Sequence, residues 1–215
     1  MRVLLINPPD VDSSLFDWET AKRGRANNYP PYGLGVLARH LINNKHEPKI
    51  LDLNHEILKI VYHSKEPIEY DQVWQEILFD EIADFEPELI GVTCLFSVTG
   101  KSLKNVCKTL RQLTEVPICL GGVHITHDVD EIMKQIPEAD YAFLNESEQA
   151  FIDFINTGKL TQVVTRQGKF LEKNSPTCLD IIPTFEQMDI ENHSLYGTLG
   201  SWYGFRYEDT RIGTV

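Results

Sequence analysis

Three short stretches combine residue types and spacings that could do chemistry. Gly100-Lys101-Ser102 has the tail of a phosphate-binding loop, whose backbone N–H groups and lysine cradle the phosphates of a nucleotide. The full pattern needs a glycine at position 95, where Leu95 stands, and a side chain there obstructs the nest of N–H groups. The chemistry left to this stretch is hydrogen bonding: Thr93, Ser97 and Thr99 can face a polar ligand or cap the helix that follows. His124, His127 and Asp128 are metal-ligating types, but H-x-x-H in a loop without a further ligand cluster does not make a metal site, and none is expected. Gly121 and Gly122 remove Cβ atoms at a strand end, which suits either a turn or the close approach of a ligand. The cysteines Cys94, Cys107, Cys119 and Cys178 match no C-x-x-C or C-x-x-x-C-x-x-C spacing, so this stretch of chain carries no zinc ribbon or iron–sulfur cluster of its own. They read as buried, inert thiols.

These residues gain meaning from the elements that position them. Arg2–Ile6, Lys49–Leu53, Leu89–Thr93, Pro117–Leu120 and Tyr141–Leu144 are short apolar runs that read as strands. Between them lie helical patterns: Gly33–Asn44, Tyr70–Phe85, Lys101–Leu113, Val129–Ile136 and Glu148–Asn156. The first of these places Leu34, Leu37, Ala38, Leu41 and Ile42 on one side. Buried strands alternating with helices predict an α/β fold, a doubly wound five-stranded parallel sheet in the flavodoxin-like (Rossmann-like) order 2-1-3-4-5. Gln162–Thr165 and Lys169–Glu172, flanking Arg166-Gln167-Gly168, read as a small separate hairpin. From Asn174 onward the pattern reads as a linker, and Arg211–Val215 resembles the start of a strand. The predicted organisation is a ligand-binding domain over 1–160 and a hairpin and linker over 161–215.

In such a sheet, ligands sit at the carboxyl ends of the strands. The residues that follow those ends are Asn7 and Pro8; Thr93, Ser97 and Thr99; Gly121, Gly122 and His124; and Asn145 and Glu146. A long polar loop after the first strand leads into Tyr29-Pro30-Pro31-Tyr32-Gly33, which brings Tyr32 and Gly33 to the start of the first predicted helix. A phosphoryl-accepting receiver domain is disfavoured, because Asn7 and Thr93 stand at strand ends where it needs acids.

Composition limits the partners. Lys and Arg number 20 against 32 Asp and Glu, a formal charge of 20 − 32 = −12, so neither the basic stripe of a nucleic-acid binder nor a polybasic membrane anchor is expected. The apolar run at the N-terminus stops after four residues at Asn7-Pro8-Pro9, unlike a signal peptide, which predicts a cytoplasmic chain.

Taken in order, several segments resemble one family. Val3-Leu4-Leu5-Ile6-Asn7-Pro8-Pro9, Pro30-Pro31-Tyr32-Gly33-Leu34-Gly35-Val36-Leu37-Ala38 and His46-Glu47-Pro48-Lys49-Ile50-Leu51-Asp52 look like the opening of the cobalamin-binding domain of radical S-adenosylmethionine enzymes. Leu89–Thr93, Leu120–Thr126 and Ala139–Phe143 continue the resemblance in register over roughly residues 1–160. It departs at Asn145-Glu146-Ser147-Glu148, where the family usually writes Gly-Glu-Gly-Glu. The resemblance implies that the chain binds cobalamin. It also implies a downstream radical domain carrying a four-iron cluster and S-adenosylmethionine, often used in the family for methyl transfer. This chain would then be the cofactor-binding half of a longer parent, inactive alone. A flavin- or nucleotide-binding domain on the same fold is the rival reading. The resemblance also implies that Gly122 gives space to the nucleotide tail, so that valine there should block binding without disturbing the fold.

Overall fold

The computed structural model describes residues 1–172 and 181–198. Cys178 and Arg211–Val215 lie outside the described residues. β1 (Arg2–Asn7) is the hub of the sheet. Its residues Val3 to Ile6 are fully buried, with Val3 and Leu5 on one face and Leu4 and Ile6 on the other, the period-two alternation of a strand covered on both sides. β1 pairs in parallel with β2 (Glu47–Asp52) on one side and β3 (Leu89–Thr93) on the other. β4 (Ile118–Gly121) and β5 (Tyr141–Phe143) extend the parallel sheet. The predicted order 2-1-3-4-5 is the observed one.

The sheet has seven strands rather than five. β6 (Val163–Thr165) pairs antiparallel to β5, and β7 (Lys169–Phe170) pairs antiparallel to β6. The hairpin expected to stand apart is thus part of the sheet. Arg166 is one reason: its guanidinium donates to the carbonyls of Met133, Ile136 and Ala139, fastening the hairpin turn beside β5.

Helices cover both faces. α1 (Trp18–Lys22) interrupts the long loop after β1 and starts at Asp17, whose carboxylate accepts from the N–H groups of Glu19 and Thr20. α2 (Tyr32–Asn43) covers the Val3/Leu5 face. α3 (Leu53–His63) opens at its cap Asp52, where β2 had been expected to continue through Leu53. Leu53, Ile57, Leu58 and Val61 bury one stripe of it, a helical spacing that the strand reading passed over. α4 (Tyr70–Phe85) completes the crossover to β3. α5 (Gly100–Leu113) follows a 3₁₀ turn at Ser97–Thr99. α6 (Val123–His127) and α7 (Val129–Gln135) join β4 to β5, and α8 (Glu148–Thr157) leaves β5. α2 and α8 share one face of the sheet, while α3, α4, α5 and α7 bury their apolar sides against the other.

The segment 181–198 is an ordered strap. Thr184 N–H and Oγ1 donate to the Gly35 carbonyl, and Met188 is buried against α2. The strap then carries α9 (Ile190–Tyr196) onto α3, and Thr198 pairs with the chain around Asn27. Gly35 eases this crossing: a Cβ there would stand 2.7 Å from Met188 Cε and 3.1 Å from Pro183 Cβ, so the strap would have to shift to admit it. Among the described residues no helix is long and apolar enough to cross a membrane.

Candidate functional site

At the carboxyl ends of the strands, between the sheet and helices α2 and α8, lies a half-open cleft. Its floor is Leu5 of β1, Gly91 to Thr93 of β3, Cys119 to Gly121 of β4 and Phe143 of β5. Gly33, Leu34 and Leu37 form the α2 wall, and Ser147, Glu148 and Phe151 the α8 wall. Two of its glycines leave open space: a Cβ on Gly33 or on Gly121 would meet nothing within 4 Å. The cleft is mostly apolar, with hydroxyl, amide and carboxyl groups from Thr93, Asn145, Ser147 and Glu148 at its mouth. That composition suits an organic ligand held by shape and oriented by a few polar contacts.

Gly122 plays a different part from Gly121. Its φ is +111°, and a Cβ would lie 2.5 Å from the Cys94 carbonyl oxygen. Cys94 N–H donates to the Gly121 carbonyl at 2.8 Å, and the Cys94 carbonyl accepts from His124 N–H at 3.1 Å. The loops after β3 and β4 are therefore locked backbone to backbone, and valine at 122 would disturb the fold rather than spare it.

The loop after β5 departs from the family in type but retains left-handed backbone at Asn145, whose φ is +59°. Asparagine is among the few side-chain-bearing residues that tolerate this region, so the lost glycine costs little there. Asn145 N–H donates to Thr126 Oγ1 at 2.9 Å, and Gln162 Nε2 donates to the carbonyls of Leu144 and Glu146.

Of the residues singled out in the sequence, Gly33, Thr93, Gly121, Gly122 and Asn145 come together around the cleft. The others do not line it. Asn7 donates from Nδ2 to Asp52 Oδ1 at 2.9 Å, and Pro8 is buried at the end of β1. Tyr32 opens α2 with its ring edge-on to Phe185, 5.6 Å between centroids. Thr99 is buried and its hydroxyl reaches the Asp10 carbonyl. Ser97 and His124 line a second cavity between α5 and α7, on the opposite face of the sheet. Glu146 is exposed beyond the loop. Lys101, the lysine of the phosphate-loop look-alike, is paired with Asp12 at 2.7 Å, and hydrogen bonds from Lys101 and Ser14 hold the Asp12 carboxyl down to about 2.

The sequence reading missed two parts of the site. The walls Leu34, Leu37, Ser147, Glu148 and Phe151 belong to the cap and the first two turns of the helices that cover the Val3/Leu5 face, so the helical period carried the apolar ones. An apolar rim of the two loops also went unnoticed: Leu95, Phe96, Val98 and Val123, after β3 and β4, are each about half exposed, though none of them lines the cleft itself. Just beyond β1, burial and then the negative charge of Asp52 push the Asp10 carboxyl up to about 7. Among the described residues no group of three or more His, Cys, Asp or Glu side chains could hold a metal ion. Cys94, Cys107 and Cys119 are buried free thiols, and burial pushes the Cys94 thiol up to about 12.

The B12 binding domain family matches residues 22–155, well over half of the chain. The chain belongs to the B12-binding domain family. The fold of this B12-binding domain is shared by solved structures of low identity. One is the radical S-adenosylmethionine methyltransferase TsrM from Kitasatospora setae with tryptophan substrate and a SAM analog bound, at TM-score 0.58 and 19% identity. The match covers 78% of this chain and 29% of TsrM. The same protein with cobalamin and a [4Fe-4S] cluster bound gives TM-score 0.56 and 20% identity over 78% of this chain and 28% of that one. The cobalamin-dependent S-adenosylmethionine radical enzyme OxsB gives TM-score 0.50 and 13% identity over 87% of this chain and 23% of OxsB. This B12-binding domain thus spans less than a third of each of those proteins. No curated protein matches the sequence.

Proposed function

We propose that this B12-binding domain holds cobalamin with the nucleotide tail in the α2/α8 cleft and the corrin over the rim, as the cofactor domain of a radical S-adenosylmethionine enzyme. The observation that carries the reading is the open Cβ space at Gly33 in the α2 wall and at Gly121 in the floor of a cleft at the carboxyl ends of the strands. A side chain at either position would fill the room a planar base needs. Leu95, Phe96, Val98 and Val123 then present half-exposed apolar surface to the corrin, which removes that surface from water on binding. Thr93, Asn145, Ser147 and Glu148 are the polar groups placed to orient the tail. Cobalamin bound there would supply methyl-carrying chemistry to the parent enzyme.

The division into a cofactor domain and a linker, a downstream radical domain of the same parent and a cytoplasmic setting belong to the same proposal. The cleft also fits the fold better than a phosphate-loop nucleotide site, since Leu95 and the Lys101–Asp12 pair leave no cradle at α5. Absorbance titration with hydroxocobalamin and, in parallel, flavin mononucleotide tests the reading. A saturable change with hydroxocobalamin alone is expected, and saturation by flavin alone would overturn it. Reading the gene past Val215 tests the kinship, which requires C-x-x-x-C-x-x-C downstream.

A further inference from the structure

Where the strap meets α3, two histidines from distant parts of the chain are stacked in the interior. His55 of α3 and His193 of α9 are each 2% exposed, with ring centroids 4.0 Å apart and planes 13° from parallel. Each ring has an aspartate: His55 Nε2 lies 3.0 Å from Asp189 Oδ2, and His193 Nε2 lies 3.3 Å from Asp52 Oδ2.

The hydrogen bonds assign the protons. Asn28 Nδ2 donates to the His193 carbonyl at 2.9 Å, which orients the amide so that the same NH₂ group faces His55 Nδ1 at 3.0 Å. His55 Nδ1 is therefore an acceptor, its ring proton sits on Nε2, and the ring is neutral. His193 is different. Its Nδ1 faces the Asp189 carbonyl at 3.1 Å and its Nε2 faces the Asp52 carboxylate, so both nitrogens meet acceptors. A ring placed to donate from both nitrogens has the hydrogen-bonding surroundings that an imidazolium needs. The other oxygen of Asp52 accepts from Asn7 Nδ2 and from His55 N–H, as an ionised carboxylate does.

We propose that this stacked pair is a proton-operated latch, which holds α9 and the strap on α3 while His55 is neutral and releases them when His55 takes a second proton into the stack. A proton on His55 Nδ1 would point at the Asn28 NH₂ group, donor against donor. It would also put two buried cations 4.0 Å apart. Burial and the neighbouring His193 charge accordingly hold the His55 ring below its ordinary value, against the pull of Asp189 and Asp52. The other titratable groups around the pair are Glu56, Lys59, Tyr62 and His63 of α3, Tyr196 of α9, Asp80, Glu81 and Asp84 of α4 across a shared cavity, Lys49 of β2 and, beyond Asp52, Asp10. Their carboxylates stabilise one imidazolium. They do not supply an acceptor to His55 Nδ1, which is where the second proton must go.

The sign follows. With its value depressed in the docked state, His55 favours docking above the free histidine value near 6.5, and that preference is lost as pH falls from there through the depressed value. Release would also withdraw the strap from α2, where Phe185 meets Tyr32 next to the cleft residue Gly33. The latch is independent of the cleft and stands whether or not cobalamin binds.

Hydrogen exchange followed by mass spectrometry, corrected for intrinsic rates, reads the latch from about pH 7.5 to about pH 5.5. Peptides covering 185–198 should lose protection by roughly tenfold or more, while peptides from β1 and β3 should not. His55→Gln, which stays neutral and can still accept from Asn28, should make strap protection independent of pH. Nitrogen NMR of the wild-type protein at neutral pH should show both His193 nitrogens protonated and His55 Nδ1 unprotonated. Strap protection that is flat with pH in the wild type, unchanged pH dependence in His55→Gln, or an unprotonated nitrogen on His193 would each overturn the proposal.

Discussion

The Cys94 carbonyl oxygen occupies the space that a Cβ on Gly122 would take, 2.5 Å away, whereas Gly121, one residue earlier, faces open cleft. Two adjacent glycines thus stand in different surroundings, one against backbone and one bordering the open cleft. Gly122→Ala should destabilise the protein by about 2 kcal/mol or more, through the clash and the strain at positive φ. Gly121→Leu should leave the melting temperature within a few degrees of wild type and reduce hydroxocobalamin affinity by roughly a hundredfold, as the side chain fills the cleft. Thermal melts by circular dichroism and absorbance titrations of the two variants separate these outcomes. Equal affinity of Gly121→Leu and wild type would remove the cleft from the binding site.

The apolar rim offers a test that leaves the cleft intact. Phe96 is 51% exposed and Val98 53% exposed, so replacing either by aspartate should change stability by only about 0.5 kcal/mol. If the corrin lies on this rim, Phe96→Asp should weaken hydroxocobalamin binding by about tenfold, measured by the same titration.

Asp10 makes stability depend on pH. Its carboxyl is raised to about 7 by burial and by the charge of Asp52. The folded state therefore binds a proton that the unfolded state has released between about pH 4 and about pH 7. The corresponding stability is fully present below pH of about 4 and is lost as pH rises through about 7. Asp10→Asn, which cannot ionise, should be more stable than wild type by about 1–2 kcal/mol at pH of about 8 and nearly equal to it at pH of about 4. Urea melts at the two pH values check the sign.

The histidines bear on the lower face of the cobalt. None of the seven in the chain lines the cleft, and His124 faces the α5/α7 cavity on the opposite side of the sheet. Electron paramagnetic resonance of cobalt(II) cobalamin bound to the protein should show no nitrogen splitting from a protein histidine. A splitting that vanishes in His124→Ala would place the corrin elsewhere and contradict the proposed seat.

Much of this protein follows from local pattern alone. Four-residue apolar runs such as Val3–Ile6 have to be buried on both faces, and helices of regular period between them make a parallel sheet with right-handed crossovers the economical solution. That is why the parallel α/β sheet and the cleft residues Gly33, Thr93 and Gly121 were legible without coordinates, whereas the order 2-1-3-4-5 was a match to a known five-stranded topology that only the pairing of the strands decided. Contacts between residues far apart in sequence decided the rest. The hairpin joins the sheet partly because Arg166 reaches carbonyls near residue 136, and nothing in the local sequence of the hairpin says so. Ser97 and His124 follow the right strands, but the backbone lock between Cys94 and Gly122 and the turns beyond it carry both to the opposite face. Asn145 replaces a glycine because its backbone tolerates the left-handed region, which residue type permits but only the fold selects. The strap of residues 181–198 has no steady period because it crosses from α2 to α3 over the edge of the sheet. It is held there by single partners such as Gly35 and His55, whose proximity to it exists only in three dimensions.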